Sequence, residues 1–109
     1  MINIDKKDVL TYQENGFAIS KNFLSDELMI NITKAYNEFI EINPSLTLEE
    51  MSSPHLVGGV GMKHVINNNL SKSFLQIGKN NEIVSQVKKI LGNDIILWGM
   101  HVMHKAPKT

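Results

Sequence analysis

An α+β fold is what this sequence predicts, on three observations. Residues 26–42 repeat apolar side chains at helical spacing, "FAISKNF" (17–23) alternates apolar with polar ones, and "NDIILWGMHVMHK" (93–105) is a nearly continuous apolar run rich in β-favouring residues. The 109 residues suit one small domain or part of one, and 42% hydrophobic with 20% charged residues is too apolar for a disordered chain, so a core is expected.

Taken in order, residues 5–15 read as a short helix stopped at Asn15-Gly16, where glycine can turn left-handed. The alternating stretch 17–23 reads as a half-buried strand. Ser25 can then cap a helix whose first turn holds Asp26 and Glu27 and whose apolar face is Leu28, Ile32, Ala35, Phe39 and Ile42, ending at Asn43-Pro44. Thr47 and Glu50 fit a capping box for a brief helix through Met51. "SSPHLVGGVGMKHVINNN" (52–69) mixes Pro, Gly and Asn as a loop or irregular hairpin does. A short helix is expected over Ser71–Ile77, closed by Gly78. A further one is capped by Asn80 or Asn81, carries Ile83, Val87, Ile90 and Leu91 on one face, and stops at Gly92. The last apolar run is read as a strand. No repeat, linker or low-complexity tract marks a domain boundary.

Eleven basic and eleven acidic side chains balance, with the lysines scattered, which argues against a nucleic-acid surface. The chain has no cysteine, so disulfides, thiolate metal sites and a Cys nucleophile are excluded. "MINIDKKDVL" has charges where a signal peptide needs an apolar stretch, and no run approaches the roughly 18 apolar residues of a membrane helix. A soluble cytoplasmic protein with no membrane partner is the expectation.

His101 and His104 stand three apart. On a helix they would share a face, but on a strand they point oppositely, roughly 10 Å apart along the chain, so a strand assignment prevents them from gripping one ion alone. One strand face would carry Ile96, Trp98, Met100, Val102 and His104, the other Ile95, Leu97, Gly99, His101 and Met103. The ordinary reading of each histidine, and more so of His55 and His64, is a hydrogen-bonded or partly exposed ring. "GGVG" (58–61) lacks the Gly-Lys-Ser/Thr ending of a P-loop and reads as a turn, followed by the cationic pair Lys63 and His64, which can face an anion or simply solvent. Asp26/Glu27 and Glu49/Glu50 sit at expected helix starts, where the helix dipole accounts for them. Trp98 is ordinarily core, and no Ser sits in a nucleophile elbow.

Two stretches, "YQENGFAISKNFLSDELM" (12–29) and "ILGNDIILWGMHVMHKAPKT" (90–109), resemble the phytanoyl-CoA dioxygenase family of iron(II)- and 2-oxoglutarate-dependent oxygenases. The first is similar to that family's opening pattern. The second is similar to its Leu-Gly, acidic turn, long strand with Trp-Gly-x-His, and Lys-x-Pro. The resemblance implies N-terminal helices packed on an incomplete double-stranded β-helix, or jelly-roll, sheet, with 1–109 as the N-terminal part of a single dioxygenase domain. In the family the metal is held by a His-x-Asp beyond the Lys-x-Pro and by a later His, so His101 and His104 are not implied to be iron ligands. His101 matches a strand position whose side chain contacts the co-substrate in related enzymes. Lys63 falls near a loop position that supplies a basic group to 2-oxoglutarate, with His64 equally eligible.

The expected function is therefore that of the N-terminal segment of an enzyme that hydroxylates a small molecule or acyl thioester. Fe(II) and 2-oxoglutarate serve the complete enzyme, with neither expected to bind tightly to these residues alone, which are expected to be inactive. The alternative is a non-enzymatic short binding or oligomerisation module that pairs its exposed C-terminal strand with a partner or with itself. A third reading is an unrelated small α+β domain.

Overall fold

In the computed structural model, residues 4–21, 23–45, 54–55, 65–105 and 107 are described. They contain four helices: α1 (Lys6–Asn15), α2 (Asp26–Ile42), α3 (Asn68–Gly78) and α4 (Asn81–Leu91). Among the described residues no helix is long and apolar enough to cross a membrane.

Local sequence explains each helix boundary. Asp5 caps α1 by accepting the Asp8 N–H at 3.0 Å, while the Asp8 carboxylate accepts the Asp5 N–H at 3.2 Å, and Gly16 ends the helix with φ of 80°, a conformation a side chain would strain. The Asp8 backbone N–H holds the Asp5 carboxyl below its ordinary range. A carboxyl with a folded-state pKa below its unfolded one supports structure above the unfolded value, and that support is lost as pH falls through the folded value. Acidification is therefore expected to fray α1. Asp5→Asn, which caps without titrating, should remove that pH dependence in amide exchange of residues 8–10.

Ser25 caps α2 by accepting the Leu28 N–H, and its own hydroxyl donates to Glu82 Oε2 at 2.8 Å, joining the starts of α2 and α4. Ser25→Ala loses both bonds and should cost about 1–2 kcal/mol in urea unfolding. Helix α3 starts at the Asn67 cap, so the three consecutive asparagines expected in a loop supply the cap and the first helical residues. Helix α4 is capped by Asn80 and stops at Gly92, as its sequence predicts.

Helix α2 packs on α3, and α1 on α4. The core lies between α2 and α3: Phe39, fully buried, meets Phe74 edge to face at 5.7 Å between ring centres, with Ala35 and Leu70 beside them. Leu28 is buried at the start of the same stripe, whereas Ile42 lies at its exposed end. The buried residue of α4 is polar: Gln86 accepts the Ile4 N–H at 2.9 Å, and Lys89 Nζ donates to the Ile4 carbonyl at 3.3 Å, so both tie the N-terminal chain down.

The expected sheet does not form. The described residues hold no sheet, and Val102 makes a single isolated bridge. Neither "FAISKNF" nor 93–105 is a strand: Phe17 and Ile19 are exposed, and 93–101 carry no regular pairing. The jelly roll implied by the resemblance is therefore not the architecture of these residues, and the fold gives the dioxygenase resemblance no structural support. The physical reason is that β-propensity describes how a side chain suits a pleated surface, while a strand exists only when a neighbour accepts its backbone hydrogen bonds. Helices satisfy their own backbone, so among the described residues they are the regular elements that form.

Candidate functional site

The segment 95–104 holds His101, His104 and Trp98, and two supports seat it. Gly78 lies under it at the end of α3: a β-carbon there would stand 3.1 Å from both Leu97 Cδ2 and Met100 Sδ, so glycine permits the crossing. Past this point the side chains alternate. Met100 and Val102 pack against the Ala35–Phe39–Leu70–Phe74 cluster, His104 is half-buried, and His101, Met103 and Lys105 face solvent. Thus Met100, Val102 and His104 share a face, as the period of two requires. Ile96 and Trp98, expected on that same face, instead stand 86% and 87% exposed.

His104 is anchored by α2. Its Nδ1 is hydrogen-bonded to the Tyr36 hydroxyl, with the two rings tilted by 45° and 5.9 Å apart. Tyr36→Phe keeps the ring and removes the bond. It is expected to lower stability by about 1 kcal/mol and to speed amide exchange at 100–104 more than in α2.

His101 lies on the solvent side of the segment and is exposed. Lys63 and His64 lie outside the described residues, as do the brief helix expected through Met51 and the GGVG turn. Among the described residues no three His, Asp or Glu side chains converge to hold a metal ion, and they therefore do not fit an iron centre. Among the described residues the Ser–carboxylate pair, Ser25 with Glu82, is occupied in capping. What the segment offers chemically is recognition: a large aromatic and aliphatic side chains, Ile96, Leu97, Trp98 and Met103, that stand exposed.

Two positions escaped the sequence reading. Tyr36 neighbours the buried stripe of α2 but carries no periodic signal for its partner on 104. Asn43, read only as a helix stop, is itself buried, donates from Nδ2 to the carbonyls of Phe39 and Val65 at 2.9 and 2.8 Å, and accepts the Val65 N–H at 2.6 Å. It clamps the chain entering α3 to the end of α2. No family model, curated protein or solved structure matches this chain.

Proposed function

We propose that this chain is the N-terminal segment of an iron(II)- and 2-oxoglutarate-dependent oxygenase acting on a small molecule or acyl thioester in the cytoplasm, and that segment 95–104 is where the rest of the enzyme packs. The activity rests on the residue patterns at 12–29 and 90–109 and not on the architecture. The need for a covering element is carried by one observation: Ile96 and Trp98, in a nearly continuous apolar run, stand 86% and 87% exposed. In this reading the described residues supply packing and orientation, iron would be held by residues elsewhere in the enzyme, His101 and Lys63 or His64 are the candidates to contact 2-oxoglutarate, and iron with 2-oxoglutarate would supply the oxidising chemistry. No step is assigned to the side chains described above.

The test is expression of the continuous reading frame that contains these codons. A His-x-Asp shortly beyond Lys105-x-Pro107, with 2-oxoglutarate-dependent succinate formation that the His-x-Asp substitution abolishes, is the expected result. A frame without that motif, or 2-oxoglutarate turnover by the purified 109-residue chain with iron, would overturn it.

The uncovered Ile96 and Trp98 also favour a second reading, a self-associating binding module. A concentration-dependent dimer with amides protected across 95–104 would select it.

A further inference from the structure

A groove unrelated to segment 95–104 runs along the α2–α3 seam to the start of α4. Two recesses make it up, of about 370 and 350 Å³, joined where both are lined by Leu28, Asn31 and Asn80. Leu28, Ala35 and Ile77 give it an apolar lining, and along it lie the amides of Asn31 and Gln76 and the NH2 group of Asn80, whose Oδ1 is already taken by the Glu82 N–H. Asparagine and glutamine side chains pair a donor with an acceptor, the same pair that a peptide unit presents.

The two ends differ in charge. Lys34 and Lys72 line the far recess with Glu38, leaving one net positive charge, and neither lysine has an ion-pair partner among the described residues. Glu27 and Glu82 line the near recess, giving two negative charges. The α2 and α4 N-termini beside them offset about half a charge each, so the near end keeps about one negative charge. On α2, Glu27, Asn31 and Lys34 share a face at i, i+4 and i+7. Seven residues of helix rise by about 10 Å, and an extended tripeptide spans about the same length at roughly 3.3 Å per residue.

We propose that this groove binds a short zwitterionic peptide, its ammonium toward Glu27 and Glu82 and its carboxylate toward Lys34 and Lys72, with the Asn31 and Gln76 amides between reading its peptide units. The site belongs to the helical framework and stands whether or not the chain is part of an oxygenase.

The test is a titration of the ¹⁵N-labelled chain with trialanine, against N-acetyl-trialanine amide as the uncharged control, followed by amide shifts. Saturable shifts at 27–34, 72–76 and 80 are expected at about 10 mM peptide, with the capped control about tenfold weaker. Lys72→Gln and Lys34→Gln, both at exposed positions, should each leave the helical spectrum unchanged and reduce the preference for a free C-terminal carboxylate. Absence of shifts in the groove, equal binding of the capped peptide, or an unchanged carboxylate preference in both variants would each overturn the assignment.

Discussion

Phe39→Ala is expected to lower stability by about 3–5 kcal/mol, because it removes the one fully buried ring at the centre of the α2–α3 interface and leaves Phe74 without its edge-to-face partner. The core it belongs to is small: Ala35, Leu70 and Phe74 are the other members of the buried cluster. Against a total of about 5–15 kcal/mol for a folded domain, such a loss leaves little margin. Thermal unfolding followed by circular dichroism should shift down by more than about 12 °C or lose its cooperativity. Phe39→Leu, which keeps most of the apolar volume, should cost about 1.5 kcal/mol or less. A loss below about 1 kcal/mol for the alanine variant would show that the core lies elsewhere.

Asn43→Asp is expected to cost about 2–4 kcal/mol at neutral pH. The aspartate keeps an acceptor for the Val65 N–H but turns two donated bonds, to the carbonyls of Phe39 and Val65, into contacts between a carboxylate and carbonyl oxygens. It also places negative charge at the negative end of α2. The sign of the pH dependence follows. A carboxyl facing acceptors favours its protonated form in the folded state, so its folded pKa lies above the unfolded one, and the variant recovers stability as pH falls through that range. Urea unfolding of the variant across pH 4–7 should show this recovery and the parent chain should not; a flat difference between them would mean that the Asn43 amide does not make the clamp.

The helices were legible in the sequence because their determinants are local. Ser25, Asn80 and Gly16 act within a few residues of where they stand, and the stripe of Leu28, Ala35 and Phe39 is a pattern in one helix. Helix α3 was placed three residues late because its cap sits among asparagines that also suit a loop. The sheet is not legible in the sequence because the apolar runs at 17–23 and 93–105 carry only a preference, whereas pairing is a property of two segments, and in these runs Val102 alone among the described residues makes a bridge. The candidate site was legible as a segment and not as contacts. Tyr36 and His104 are 68 positions apart, and the Asn43 clamp spans 22, distances at which no periodicity links one residue to the other.

The exposed indole of Trp98 has a practical corollary for anyone handling this chain. It is the sole tryptophan and is already hydrated in the native state, so its emission will barely register the melting of the helices. A blue shift would report that something has closed over the segment, which makes the intrinsic fluorescence a docking signal with little contribution from the unfolding background.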